Sequence, residues 1–247
     1  MKFVTVFKRY ELKYLITAEE KDYLLDAMAP YMALDEYGRT TIRNVYYDTE
    51  NYRMIRRSID KPSYKEKLRI RAYRQVGRED TVFVELKKKA KGIVYKRRIP
   101  LSEAEATAWA SGRASKPDDS QIAREIDYVL RFYGDLRPAC FLSYEREAFF
   151  ARDGSDFRVT FDENILARTD ALSLCEGVGG TPLLPAGTVL MEIKCAGGIP
   201  LWMVHALSAR RIYKRSFSKY GTAYRLLIHQ VKKEGVYHNG KSLQGAL

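Results

Sequence analysis

Segments 3–16, 40–48, 64–75, 81–89, 93–101, 139–151, 156–163 and 187–195 alternate two kinds of residue with a period of two, the period of a β-strand. Successive strand residues face opposite sides, so the alternation sorts each segment into two faces. In the first segment Arg9, Glu11 and Lys13 share one face while Tyr10, Leu12, Tyr14 and Ile16 share the other. Lys67, Arg69 and Arg71 oppose Leu68, Ile70 and Ala72, and Glu85 and Lys87 oppose Val82, Val84 and Leu86. Asp156, Arg158, Thr160 and Asp162 oppose Phe157, Val159 and Phe161, and Glu192 and Lys194 oppose Val189, Met191, Ile193 and Cys195. Two segments sort less cleanly: Lys96 and Arg98 alternate with Tyr95, Arg97 and Ile99, and Tyr144 and Arg146 with Ser143, Glu145 and Glu147.

Two architectures satisfy this pattern. In one, an antiparallel sheet sets its apolar face on a core and its charged face in water. In the other, the sheet closes with the charged face inward and the apolar face covered by helices. The residue types weigh toward the second, because Lys and Arg dominate the polar face and carboxylates sit near them in sequence. Charges withdrawn from water are costly, so an inward charged face must hold water, paired carboxylates and a polyanionic ligand. Composition agrees: 43 Lys and Arg against 31 Asp and Glu give a net charge of +12, which predicts an anionic partner.

The helices available to cover the apolar face are few. Thr17 with Glu20, and Ser102 with Glu105, have capping-box spacing, and Leu24, Met28 and Tyr31 form an apolar stripe after the first. Helical periodicity recurs at Ile122, Ile126, Val129, Leu130 and Tyr133, and at Tyr220, Ala223, Tyr224, Leu227 and Val231. Stretches 111–120 and 177–187 are rich in Gly, Pro, Ser and Asp and read as loops, Gly177–Gly180 included. One domain over 1–231 with a C-terminal tail over 232–247 accounts for the chain, and its class is β-rich α+β.

Other chemistries find no anchor. The sequence has no Walker A loop, HExxH, GxSxG or CxxC, and Cys140, Cys175 and Cys195 are too scattered for a zinc site or disulfide framework. His205, His229 and His238 are equally dispersed. The runs 87–89 and 96–98 are basic, but strand alternation splits them between two faces, so they predict no continuous nucleic-acid stripe. The N-terminal uncharged run is too short for a signal peptide and no segment has membrane-spanning length, so a cytoplasmic protein is expected.

The chain resembles the VTC-domain polyphosphate polymerases of the triphosphate tunnel metalloenzyme superfamily. The resemblance is carried, in order, by Tyr10-Glu-Leu-Lys-Tyr14, Val45-Tyr-Tyr-Asp-Thr49, Leu68-Arg-Ile-Arg-Ala-Tyr73, Val84-Glu-Leu-Lys87, Ser143-Tyr-Glu-Arg-Glu-Ala-Phe149, Phe157-Arg-Val-Thr-Phe-Asp162, Val189-Leu-Met-Glu-Ile-Lys194 and Phe217-Ser-Lys-Tyr220. It implies a closed antiparallel β-barrel tunnel of about eight strands with a charged interior and helices packed outside. It implies ATP as phosphoryl donor to a growing polyphosphate chain, with Mn²⁺ or Mg²⁺ bound. By position, Lys13, Arg57, Arg69, Arg71, Lys87, Lys96, Arg146, Arg158, Lys194, Ser218 and Lys219 would meet phosphate, Tyr144 would support phosphate or base, and Glu192 would be the metal ligand. The expected partners are ATP and inorganic polyphosphate or triphosphate, with no nucleic acid and no transmembrane segment; a membrane partner protein stays open.

Two positions depart from the family pattern. Arg9 stands where the triphosphatase and cyclase branch carries the first Glu of Glu-x-Glu-x-Lys, which favours the polymerase branch over a tripolyphosphatase. Ser216 stands where the polymerases carry Lys, which keeps hydrolysis, and binding without turnover, as alternatives. Glu11 and Glu85 read as ion-pair partners of lining cations in preference to metal ligands.

Overall fold

A computed structural model describes residues 10–60, 62–90 and 93–229. Arg9, the start of the first expected strand and the tail over 232–247 lie outside the described residues. In chain order the elements are β1 (Tyr10–Thr17), α1 (Ala18–Met28), β2 (Met32–Leu34), β3 (Thr40–Asp48), α2 (Arg53–Ile59), β4 (Tyr64–Ala72), β5 (Thr81–Ala90), β6 (Ile93–Ser102), α3 (Glu103–Ala110) and α4 (Gln121–Tyr133). There follow β7 (Arg137–Ala151), β8 (Arg158–Arg168), β9 (Thr181–Pro182), β10 (Thr188–Cys195), α5 (Leu201–Ala209) and α6 (Lys219–Ala223), which runs into a π-helical turn at Tyr224–His229.

The strands form one antiparallel sheet in the order β1-β10-β8-β7-β3-β4-β5-β6, with the short β2 on β7 and β9 on β8. Among the described residues it is α+β with ten strands, and the expected closed barrel of about eight strands is not formed: β1 and β6, the two ends of the order, are not hydrogen-bonded to each other. Pro100 within β6 lacks an N–H, which suits an edge strand. Along β1, the Lys13 carbonyl accepts a 2.7 Å hydrogen bond from the Arg215 N–H, so the segment before α6 covers part of that edge. The sheet nevertheless curls strongly. Lys87 of β5 reaches Glu11 of β1 at 3.0 Å, although five strands separate β1 from β5 in the order.

Three clusters hold this curled sheet. Outside, Leu68, Ile70, Val82, Val84 and Leu86 pack under Trp109 of α3 and Ile126 and Val129 of α4. At the other end of the sheet Tyr14, Ile16, Phe161, Met191 and Ile193 pack with Leu24 and Met28 of α1 and Met203 and Leu207 of α5. Each fully buried large apolar side chain contributes about 1.5–3 kcal/mol, which is why the greasy face dictates register. The third cluster lies on the inner face, where Leu142, Ile165 and Leu190 meet Ile55 of α2 and Tyr220 and Ala223 of α6. A bulge in β8 serves that face. Asn164, at φ 48, is left out of the β7 ladder, so Asp162 before it and Ile165 and Ala167 after it share one side.

Both expected capping boxes are present, with reciprocal bonds between Thr17 and Glu20 and between Ser102 and Glu105. Tyr31 is not part of α1, which ends at Met28; it stacks on Trp202 at 4.5 Å. Two helices lack a periodic signal. α5, Leu-Trp-Met-Val-His-Ala-Leu-Ser-Ala, is apolar nearly all round, and α2 begins without a side-chain cap on Tyr52. The buried Asp48 carboxylate substitutes for that cap, accepting from the N–H groups of Met54 and Ile55 and from the Tyr220 hydroxyl. Among the described residues no helix is long and apolar enough to cross a membrane.

Candidate anion-binding site

The polar face of the curled sheet and the segment leading into α6 enclose a cavity of about 670 Å³. Among the described residues fourteen Lys and Arg line it against three Glu, so it is electropositive by composition alone. The alternation explains why. Lys13↔Glu192↔Thr160 and Lys194↔Arg158 are register partners, as are Arg69↔Glu85↔Arg98 and Lys87↔Lys96, so polar residues of adjacent strands stack on one side.

The charges gather around two carboxylate centres. At the first, Glu192 lies 3.2 Å from Lys13, 3.4 Å from Lys219, 3.5 Å from Arg146 and 3.6 Å from Lys194. Asp162, fully buried beside it, takes both ends of the Arg146 guanidinium at 2.6 and 2.7 Å and also pairs with Lys219. At the second, Glu85 accepts a 2.9 Å hydrogen bond from Arg69 and is ion-paired with Lys96 at 2.6 Å, with Arg71 at 3.7 Å. Arg71 in turn reaches Asn44 and the Tyr144 hydroxyl, and Arg69 the Tyr46 hydroxyl, so the guanidiniums are fixed in direction.

Burial and mutual charge shift the titrations. Burial opposes ionisation of Glu85 and Glu11, yet Arg69 and Arg71 for the first and Lys87 and Lys13 for the second hold each at about 2. Glu192, buried among Lys219, Lys13, Lys194 and Arg146, lies well below the usual carboxylate range. Burial would raise Tyr144, but Arg71, Arg146 and Lys219 bring it down to about 8. Lys96 is pushed down to about 8 by burial, against the pull of Glu85. The carboxylates therefore stay ionised at neutral pH while part of the cation set is poised to titrate.

Of the residues expected at the site, Lys13, Arg69, Arg71, Lys87, Lys96, Tyr144, Arg146, Glu192, Lys194, Ser218 and Lys219 all line the cavity. Arg158 and Arg57 do not. Arg158 pairs in register with Lys194 but is exposed at the first position of β8, and Arg57 is exposed in the last turn of α2 beside Tyr64 and Tyr133. Several contributors went unassigned in the sequence, among them Asp162, Lys67, Tyr46 and Asn44 and the lining cations Lys65, Lys89, Lys214, Arg215 and Arg225. Alternation put Asp162 and Lys67 on the right face; nothing local marked Tyr46 or Asn44, whose strand is buried on both sides.

A divalent cation is the cofactor such a site implies. Among the described residues no group of three or more His, Cys, Asp and Glu could hold a metal ion. Glu192 and Glu11 share Lys13, at 3.2 and 3.4 Å, and both stay ionised. One or two carboxylates completed by substrate oxygens is the usual arrangement for Mg²⁺ at phosphates, and these two fit it.

Comparison with known proteins gives a family, and one solved structure a likeness of fold. The family model of the VTC domain matches residues 8–228. A crystal structure of a protein provisionally named an adenylate cyclase from Bacillus halodurans superposes with a TM-score of 0.54 at 15% identity, covering 90% of this chain and 97% of that one. A second protein with the same provisional name, from Vibrio parahaemolyticus, gives 0.47 at 11% identity, covering 88% and 97%. No curated protein matches by sequence.

Proposed function

The chain belongs to the VTC domain family, and on that premise we propose that it is a metal-dependent polyphosphate polymerase, moving the γ-phosphoryl group of ATP onto a polyphosphate end. The observation that carries the reading is the cavity itself, an electropositive space whose cations are oriented by two carboxylate centres. At an effective dielectric of about 20, a phosphate charge about 4 Å from a cation gains roughly 4 kcal/mol before desolvation, so several cations can hold a linear phosphate chain. The guanidiniums of Arg146, gripped by Asp162, of Arg69, gripped by Glu85, and of Arg71, held by Asn44 and the Tyr144 hydroxyl, offer planar forks to phosphate oxygens. Lys13, Lys194 and Lys219 supply point charges around Glu192.

In the reaction the bond from the γ-phosphorus to the β-bridging oxygen breaks, a terminal oxygen of the chain forms the new bond, and ADP leaves. No protein nucleophile is needed; the chain's residues align donor and acceptor and stabilise charge on the transferred group. A divalent ion held by Glu192 and Glu11 would supply further charge neutralisation.

Incubation with ATP and Mn²⁺ is expected to give ADP and long-chain polyphosphate, resolved by gel electrophoresis. Free phosphate alone would identify a tripolyphosphatase, and tight polyphosphate binding without nucleotide turnover a binding module; either overturns the polymerase.

A further inference from the structure

The cations of the cavity are not equivalent. Those around Glu192 and Glu85 have carboxylate partners, whereas Lys67 has none within ion-pairing distance among the described residues. Its ammonium donates to the Ser218 hydroxyl at 3.0 Å, a neutral acceptor at the start of α6. The charges that act on it most strongly are cations, Lys87 from β5, Lys13 from β1 and Lys65 and Arg69 from β4, while the Glu11 carboxylate of β1 is taken up by Lys87 at 3.0 Å and Lys13 at 3.4 Å. Glu66, its sequence neighbour, points to the other side of β4, where it accepts from the Tyr64 hydroxyl.

We propose that Lys67 and Ser218 form the seat for one phosphate of the bound polyanion, and that Lys67 takes up a proton as the phosphate arrives. The inference rests on the polyanion-binding reading above and adds a proton linkage to it. Burial, and then the charges of Lys87, Lys13, Lys65 and Arg69, push the free Lys67 down to about 7. A phosphate in the seat reverses the sign of its surroundings and returns it toward the ordinary lysine value of about 10.4. Between those two values the empty site holds a neutral amine and the filled site an ammonium, so the bound state carries the extra proton. Affinity then falls as pH rises, approaching about tenfold per pH unit above neutrality.

Two other groups in the cavity titrate in the same range. Lys96 keeps Glu85 as a partner, and Tyr144 answers to Arg71, Arg146 and Lys219. Lys67→Arg separates their contribution, because a guanidinium stays protonated throughout.

The experiment is calorimetric titration of the full chain with inorganic tripolyphosphate at pH 8, in Tris and in HEPES, whose different ionisation enthalpies report protons exchanged. Wild type is expected to take up close to one more proton than Lys67→Arg, and its Kd to rise about tenfold more steeply between pH 7.5 and 8.5; ligand titration is common to both. Equal proton uptake in the two proteins overturns the proposal while leaving polyanion binding intact. Absence of tripolyphosphate binding by wild type overturns the underlying reading instead. Lys67→Met is expected to bind about tenfold or more weakly at pH 7 and to show the same flattened pH profile; binding unchanged from wild type would also refute the seat.

Discussion

The two carboxylate centres of the cavity are built from the same residue types yet differ in how they are assembled. Glu85, on β5, draws its partners from β4 and β6, the strands before and after it in sequence and its two neighbours in the sheet. Glu192 and Asp162 draw theirs from β1, β7, β10 and α6, so Lys13 and Lys219 come from opposite ends of the chain. A further difference is chemical. Glu85 has only cations beside it, whereas Glu192 has Asp162 and Glu11 within electrostatic reach. The first centre is suited to orienting guanidiniums. The second gathers three carboxylates, each of them already paired with cations.

This contrast can be broken at its strongest point. Asp162→Asn leaves Arg146 and Lys219 buried with Glu192 as their remaining carboxylate, and loss of a buried pair of this kind costs about 3–5 kcal/mol, readable as a lower urea midpoint. A cost under 1 kcal/mol would mean the centre is not the structural hinge between the chain ends. Glu192→Gln is expected to lower metal-dependent turnover on the order of 10²-fold while tripolyphosphate still binds. Unchanged turnover would remove Glu192 from metal binding.

Glu85→Gln should act in the opposite sense on the ligand. Relieving Arg69 and Lys96 of their counter-charge tightens polyanion binding a few-fold, at a cost of roughly 1–3 kcal/mol in stability. Because Glu85 is held at about 2 in the folded chain, its stabilisation is complete above the unfolded carboxylate value and is lost as pH falls from about 4.5 toward 2. Stability curves of wild type and Glu85→Gln should therefore converge across that window and stay parallel above it. The smallest effect is expected at Arg158→Ala, exposed and outside the cavity, with stability within about 0.5 kcal/mol of wild type and turnover unchanged; a tenfold loss of turnover would extend the site along β8.

Much of the site was legible because alternation in β1, β4, β5 and β10 sets most of the charged lining residues, such as Glu11 and Lys13 or Lys67, Arg69 and Arg71, two positions apart. Legibility failed where a strand is buried on both faces, as in β3 with Asn44 and Tyr46, and where a bulge changes parity, as at Asn164. It failed also at the edges of the site. Arg158 has the right parity, but its position at the end of β8 leaves it in solvent, and parity carries no information about depth.

What the sequence determined by itself is the separation of a charged face from an apolar one, the two capping boxes, and an excess of cations that predicts an anionic partner. These follow from local periodicity and side-chain chemistry, which need no knowledge of distant residues. Tertiary structure alone decided that the sheet curls without closing, that Asp162 clamps Arg146 and Lys219, and that Lys67 is left among cations without a carboxylate. Those outcomes depend on twist accumulated across eight paired strands and on which edge meets which segment. A period of two along one strand cannot encode either.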